Sequence, residues 1–169
     1  YDKAGRLAEV CASNGIRAQY RYDRNDMQTE VLYGNGLRTS YTYDERSQLT
    51  GMETVFPGMS NPLFRGTYAY DANGCRISKT EQIRMDATIP LKVMETSYTY
   101  DSMERLTKES LNGAVTSYGY DLAGNRITKS MDGRTEKYFY NNRNQLTELH
   151  REKDVVRYSY DPAGNLTEE

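Results

Sequence analysis

Polar and apolar positions alternate along most of the chain, and tyrosine marks the alternation. In Tyr138-Phe139-Tyr140 a period of two puts both tyrosines on one face of a strand and Phe139 on the other. The same Tyr-x-Tyr-Asp run stands at 20–23, 41–44, 68–71, 98–101, 118–121 and 158–161. Asn141 closes the copy at 138–141, and Tyr1-Asp2 is the second half of an eighth. Fifteen of the 16 tyrosines lie in this pattern, and Tyr33 lies outside it. Counted from the second tyrosine, the copies stand 21, 21, 27, 30, 20, 20 and 20 residues apart. A fixed period of this size is the mark of a repeat architecture.

Each copy continues into turn chemistry, as in Asp121-Leu122-Ala123-Gly124 and Asp161-Pro162-Ala163-Gly164. The Asp carboxylate caps backbone amides two residues on, and Gly takes the left-handed conformation. Half-way to the next copy come Asn14-Gly15, Asn35-Gly36, Asn112-Gly113 and Asp132-Gly133, the dipeptides of tight hairpin turns. One repeat is then two short strands and two turns, and no window keeps a helical period. Folding the chain at each Asp turn sets the second tyrosine across from an aliphatic residue. The expected pairs are Tyr1 with Leu7, Tyr43 with Leu49, Tyr70 with Ile77 and Tyr100 with Leu106. They continue with Tyr120 and Ile127, Tyr140 and Leu146, Tyr160 and Leu166. Each pair adds roughly 0.2–1 kcal/mol. Two copies carry one extra residue, before Ile77 and Ile127, which a bulge absorbs. Tyr22 departs from the rule, because Gln28 stands in the aliphatic place.

The long intervals are read as loop insertions near 56–66 and 83–95, since Pro57, Pro62 and Pro90 fit poorly in central strands. The expected fold is all-β. A single repeat array over 1–169 forms one continuous antiparallel sheet of about fifteen hairpin strands.

Composition agrees with a sheet that is not an ordinary globular core. Val, Leu, Ile and Phe together number 27 of 169 residues, there is no Trp, and the net charge is -2. No apolar run approaches the ~20 residues of a membrane span, so no membrane segment is expected. The balance of 22 basic and 24 acidic residues gives no reason to expect nucleic acid. Two Cys and one His supply no structural zinc set, and no cofactor is called for.

Tyr-Asp-x-x-Gly-Arg-Leu at a period near 20, as in Tyr1-Asp2-Lys3-Ala4-Gly5-Arg6-Leu7 and Tyr120-Asp121-Leu122-Ala123-Gly124-Asn125-Arg126-Ile127, resembles the Rhs/YD-repeat family. That resemblance covers essentially the whole chain. It implies a strip of β-hairpins wound spirally into part of a hollow shell. Such shells occur in bacterial polymorphic toxins, in the B and C subunits of insecticidal toxin complexes and in teneurins. The implied role is structural: enclosing or scaffolding a toxin, an effector or a surface assembly, in a secreted or cell-surface setting. The implied partners are the rest of the same shell and an enclosed effector. The alternative is an extracellular adhesion module recognising a glycan or a protein receptor. Asp161-Pro162-Ala163-Gly164-Asn165-Leu166 only echoes the shell-closing signature of toxin members, so no self-cleaving carboxylate is carried over. The chain is expected to be a segment of a larger protein, with any toxin activity outside it.

No catalytic, cofactor-binding or metal-binding residue is assigned. The paired positions Tyr1 and Asp2, Tyr22 and Asp23, Tyr43 and Asp44, Tyr70 and Asp71 are read as structural. So are Tyr100 and Asp101, Tyr120 and Asp121, Tyr140 and Asn141, Tyr160 and Asp161. The acidic column has two readings, a calcium ladder or a row of turn caps. Equivalent carboxylates two strands apart are about 9.6 Å apart, too far to share one ion, and Asn141 keeps the acceptor without the charge. Turn capping is the preferred reading. The tyrosines are read either as a sugar-stacking platform or as a packed face whose hydroxyls find partners, the pairing with Leu and Ile favouring the second. His150 is expected at the surface, and Cys11 and Cys75 as free thiols. Arg6, Arg76, Arg105 and Arg126 are expected to be solvated partners of the acidic column.

Overall fold

The fold was analysed in a computed structural model that describes residues 1–11, 13, 15, 17–59, 61–84 and 91–169. The turn expected at Asn14 and the loop at 85–90 lie outside the described residues. All regular structure is β. In chain order the strands are β1 Glu9–Cys11, β2 Arg17–Tyr22, β3 Gln28–Tyr33, β4 Arg38–Tyr43, β5 Leu49–Val55, β6 Phe64–Tyr70, β7 Arg76–Ile83 and β8 Lys92–Tyr100. They continue as β9 Leu106–Leu111, β10 Ala114–Tyr120, β11 Arg126–Met131, β12 Arg134–Tyr140, β13 Leu146–His150, β14 Val155–Arg157, β15 Ser159–Tyr160 and β16 Leu166–Glu168. β1 to β14 follow in sequence order through one 14-stranded sheet, while β15 and β16 form a two-stranded one. The chain divides into two compact units, Tyr1–Glu95 and Thr96–Glu169.

The hairpins closed by an Asp turn share one local design. Except at Asp23, the amide of the residue three after Asp donates to the Asp carbonyl, as Gly124 N to Asp121 O at 3.2 Å. The Asp amide donates to the carbonyl four residues on, as Asp121 N to Asn125 O at 3.0 Å. This is a three-residue loop whose last residue is left-handed. Gly5, Gly74, Gly124 and Gly164 hold that position in four repeats, and Asp26, Ser47, Glu104 and Asn144 hold it at φ 58–64° in the others. The second kind of turn differs. Asn112-Gly113 and Asp132-Gly133 have both central residues at positive φ, as a two-residue type I′ turn requires. Asn35-Gly36 instead closes through Gly36 N to Tyr33 O at 2.8 Å, with only Gly36 left-handed.

The common turn fixes the register. Tyr43 faces Leu49, Tyr100 faces Leu106, Tyr140 faces Leu146 and Tyr160 faces Leu166, as expected. Tyr70 faces Arg76 rather than Ile77, and Tyr120 faces Arg126 rather than Ile127. No turn is longer than the others, so these two copies hold no extra residue before the pair. The count from Asp selects the partner whatever its side chain, and Tyr22 facing Gln28 obeys the same count.

A bulge is present in all seven of these hairpins, immediately after that pair. Register shifts leave Thr29, Thr50, Ile77, Thr107, Ile127, Thr147 and Thr167 unopposed. A bulge also re-aims the strand, and in β12 it lies just past the residue at which the strand changes partner. β12 pairs with β11 up to Lys137 and with β13 from Lys137 onward. The separate sheet of β15 and β16 has the same origin. Tyr158 still donates its amide to Thr147 O at 2.9 Å. β14 pairs only through Arg157 and β15 only from Ser159, so no residue is shared between the two partners.

One face of the sheet carries the tyrosines, half-buried, with Val31 and Leu149 the most enclosed aliphatic residues at 3% and 6% exposure. Residues between paired tyrosines, such as Thr42, Thr99 and Phe139, are exposed on the other face. Among the described residues no large side chain is fully buried.

Candidate functional site

The two features that recur in every repeat are the acidic turn and the tyrosine hydroxyl, and their hydrogen bonds decide what each can do. In the turns, one carboxylate oxygen is committed to the backbone. Asp2 Oδ1 accepts from Ala4 N and Arg6 N, both at 2.9 Å. Asp101 Oδ1 accepts from Met103 N at 2.9 Å and Arg105 N at 3.0 Å. Asp23, Asp44 and Asp71 repeat the pair of bonds, and Asp161 Oδ1 accepts from Asn165 N. Asn141 Oδ1 does the same for Arg143 N and Gln145 N, so the interaction needs an acceptor and no charge.

The second oxygen, where it has a partner, takes a side chain four residues on. Asp2 and Asp101 bind Arg6 and Arg105, each with Nε at 2.7 Å. Asp121 and Asp161 bind the amides of Asn125 and Asn165 at 2.9 Å. Hydrogen bonds to the ionised form lower a carboxyl pKa. The Arg6 and Arg105 backbone amides hold Asp2 and Asp101 below the usual carboxylate range. The Asn125 and Asn165 side chains do so for Asp121 and Asp161. Among the described residues no cluster of three or more His, Cys, Asp or Glu could hold a metal ion.

Successive turns are tied together. Arg6 Nη1 donates to Asp23 O at 3.1 Å and pairs with Asp26 at 2.6 Å. Arg105 Nη1 donates to Asp121 O at 3.0 Å, and Asn125 Nδ2 to Asn144 Oδ1 at 2.9 Å. Arg143 reaches Pro162 O at 3.3 Å. The four recurrent arginines split into two kinds. Arg6 and Arg105 pair with the acidic column as expected. Arg76 and Arg126, one residue later in the repeat, lie on the tyrosine face instead, because the fixed turn count points them there. The Arg76 guanidinium sits 4.8 Å from the Tyr68 ring centre and 5.6 Å from that of Tyr70. Arg126 sits 4.7 Å from Tyr138 and 5.7 Å from Tyr118. Arg6 and Arg105 also cover Tyr22 and Tyr120, at 4.7 and 4.9 Å.

In six motifs the second tyrosine makes a contact that strand patterning could not reveal. Its hydroxyl crosses to the preceding repeat and donates to the backbone carbonyl facing that repeat's own tyrosine. Tyr22 reaches Leu7 O at 2.9 Å, Tyr43 reaches Gln28 O at 2.8 Å and Tyr70 reaches Leu49 O at 2.9 Å. Tyr120 reaches Leu106 O at 2.9 Å, Tyr140 reaches Arg126 O at 3.0 Å and Tyr160 reaches Leu146 O at 2.9 Å. The carbonyl before each acceptor is already taken by the Asp amide, as Arg105 O is by Asp101 N. Alternation therefore turns the next carbonyl away from its own hairpin and toward the following one. Past the bulge, the strand ladder no longer reaches it, and the hydroxyl does.

The first tyrosine behaves differently. Tyr138 donates to Glu136 Oε2 at 2.7 Å, and Tyr118 lies 3.4 Å from Glu109 Oε2. Burial, then the bond to the Glu136 carboxylate, pushes the Tyr138 hydroxyl up to about 12. Burial also raises Tyr41, Tyr43, Tyr68, Tyr118 and Tyr140.

The unopposed bulge residues have a role that only the Leu-Thr and Gln-Leu-Thr pattern after the turn hinted at. Thr107 and Thr147 donate to Thr99 O at 3.0 Å and Phe139 O at 3.1 Å, carbonyls on the tyrosine strand beside the bulge. His150 is half-buried on the opposite face, its ring tilted against Phe139 at 4.5 Å between centres and its Nε2 2.6 Å from Glu148 Oε2. Cys11 is exposed, Cys75 lies in the Asp71 turn, and neither is in a disulfide. Among the described residues no helix is long and apolar enough to cross a membrane.

Among solved structures the chain is similar to TcdB2-TccC3 without its hypervariable C-terminal region, at 14% identity and a TM-score of 0.46. It is similar also to the Photorhabdus luminescens Tc holotoxin pore, at 15% and 0.44, and to TcdB2-TccC3, at 16% and 0.44. In each case the match covers 98% of this chain and 12% of the other. No curated protein matches it. The family comparison is more direct: the family described as the teneurin YD-shell matches residues 1–169, and the chain belongs to that family.

Proposed function

We propose that this chain is a length of wall in a YD-repeat shell. The hairpin strip curves spirally there and encloses or scaffolds a toxin, an effector or a surface assembly outside the cell. Its partners are the remainder of its own shell and the enclosed polypeptide, and it contributes no catalytic group. The observation that carries this reading is the direction of the recurrent bonds. Six tyrosine hydroxyls each tie one repeat to the one before. The acidic column, the candidate for chemistry, caps its own turns.

The adhesion alternative draws on tyrosine rings as a sugar platform. Six of those rings already have an arginine over them, which leaves less aromatic face for stacking. The test is limited proteolysis of the polypeptide that carries these residues. A long fragment should resist cleavage in the native protein and become cleavable when Tyr120 and Tyr140 are both replaced by Ala. Equal protection in the native and doubly substituted proteins, with the hairpins shown to be opened by hydrogen exchange, would remove enclosure as the function.

A further inference from the structure

We propose that the turn edge between Asp23 and Asp44 is a built-in opening point of the sheet, where the Asp2 and Asp23 turns swing as one body away from the Asp44 turn. Within each unit, every other pair of consecutive Asp or Asn turns is tied by a side chain. Arg6 and Arg105 reach Asp23 O and Asp121 O, and Asn125 reaches Asn144. Arg46 donates to Ala72 O and Arg143 to Pro162 O. These donors stand two or four residues after the turn's Asp or Asn. In the Asp23 turn the two positions hold Asn25 and Met27. Met27 has no donor, and the bonds at Asn25 and Met27 are those of their own amides to Asp23 Oδ1 and of Asp23 N to Met27 O. A cleft of about 430 Å³ opens instead of a tie, lined by Asp23, Asn25, Met27, Tyr43, Asp44 and Glu45.

Two further departures fall on the same turn. The other seven turns are closed by an amide donating to the Asp or Asn carbonyl, whereas Asp23 O accepts from Arg6 Nη1 at 3.1 Å. Arg6 also pairs with Asp26 at 2.6 Å, so the Asp23 turn is fastened to the turn before it. The second departure is Gln28, which stands where most repeats place Leu. Its carbonyl accepts from the Tyr43 hydroxyl at 2.8 Å, and its side chain interacts with the Tyr41 hydroxyl. The latch at this edge is therefore polar, and water entering the cleft can take over its hydrogen bonds.

The hinge lies deeper in the sheet. β3 and β4 pair from Glu30 with Ser40 to Leu32 with Arg38, and Val31 and Thr39 inside that ladder are each 3% exposed. At the far end Gly36 N donates to Tyr33 O at 2.8 Å, and Pro57 lies close enough that a Cβ on Gly36 would meet its Cγ at 2.6 Å. That end stays closed while the Asp-turn end parts. Openings of this kind begin where buried apolar contacts are few, and the tyrosine face is reached first through this gap.

The experiment is hydrogen exchange on the native polypeptide carrying these residues, with rates corrected for intrinsic sequence effects. The Asn25 and Met27 amides cap on Asp23 as the Met103 and Arg105 amides cap on Asp101, so the two turns compare directly. Asn25 and Met27 should exchange about tenfold faster than Met103 and Arg105, the factor one charge-assisted hydrogen bond supplies. Met27→Arg should supply the missing tie and slow the Asn25 amide by a similar factor, while Met27→Leu should leave it unchanged. Arg105→Met should speed exchange at Met103. Equal protection of the two turns in the parent protein would overturn the proposal, as would unchanged exchange in Met27→Arg with the β3 and β4 amides still protected. If Met27→Arg does not fold, Arg105→Met decides: an Asp101 turn that loosens supports the proposal, and one that stays protected refutes it.

Discussion

Replacing Tyr120 by Phe isolates the hydroxyl tie between repeats. The ring and its arginine contact remain, with Arg105 4.9 Å from the ring centre, and only the 2.9 Å bond to Leu106 O is lost. A net hydrogen bond of this kind contributes about 1 kcal/mol, within ~0.5–1.5. The acceptor is half-buried, so water replaces the hydroxyl only in part, and the cost should fall near the middle of that range. Tyr118→Phe is the control on the same strand. Its hydroxyl lies 3.4 Å from Glu109 Oε2, at the outer limit of hydrogen bonding, and the change should cost less than about 0.5 kcal/mol. Tyr160 makes the equivalent tie to Leu146 O two repeats further on, about 19 Å at ~4.8 Å per strand. Tyr120→Phe and Tyr160→Phe should therefore add, to about 2 kcal/mol. Urea unfolding of the polypeptide carrying these residues provides the measurement, read as a fall in midpoint at constant slope. If Tyr120→Phe is neutral, or no worse than Tyr118→Phe, the hydroxyl tie is not a stabilising contact.

Acid should weaken the turns. Asp2, Asp101, Asp121 and Asp161 have pKa values below the ordinary 3.8 in the folded chain. Their stabilisation is complete above the unfolded value and is lost as pH falls through the lowered folded ones. Stability measured below about pH 4 should drop, and Asp121→Asn should flatten that drop while keeping the Oδ1 cap, as Asn141 does. Glu104→Gly should stabilise by up to ~1 kcal/mol by relieving a left-handed non-Gly residue at φ 60°, whereas Gly124→Val at φ 90° should destabilise by about 1–2 kcal/mol; thermal unfolding of the pair shows the opposite signs. Gly66→Ala should cost ~1–3 kcal/mol, because its Cβ would stand 2.5 Å from the Tyr68 hydroxyl, and a midpoint equal to that of the parent would show that Tyr68 swings away freely.

Much of this arrangement is legible in the sequence because the turn is local. Asp, its cap and the left-handed residue lie within five positions, so the hairpins and the alternation of tyrosines follow directly. The misreadings at Tyr70 and Tyr120 share one cause. Side-chain type favours Ile77 and Ile127 as partners, whereas the turn's hydrogen-bonded ring sets the register by count and places Arg76 and Arg126 there. The same error confined the bulge to two repeats. Its extra residue is usually Thr, which fits an ordinary strand pattern and leaves no mark in alternation. The hydroxyl ties were beyond reach for a different reason. Each joins residues 14 to 21 positions apart, and it depends on which way one carbonyl points after the bulge.

Those ties explain why tyrosine, and not a larger stock of aliphatic residues, holds this sheet. Among the described residues no large side chain is fully buried, and such a sheet face gains less from apolar area than a closed core does. An array built with Phe would keep the rings and the arginine contacts and lose every link from hydroxyl to preceding repeat. Six described links at about 1 kcal/mol each amount to ~6 kcal/mol, a large share of the ~5–15 kcal/mol that separates a folded domain from its unfolded chain. Each link joins only adjacent repeats, so stability grows by nearest-neighbour steps as in other repeat arrays. The strip can then lengthen without a deeper core, as the wall proposed above requires and a compact globule does not.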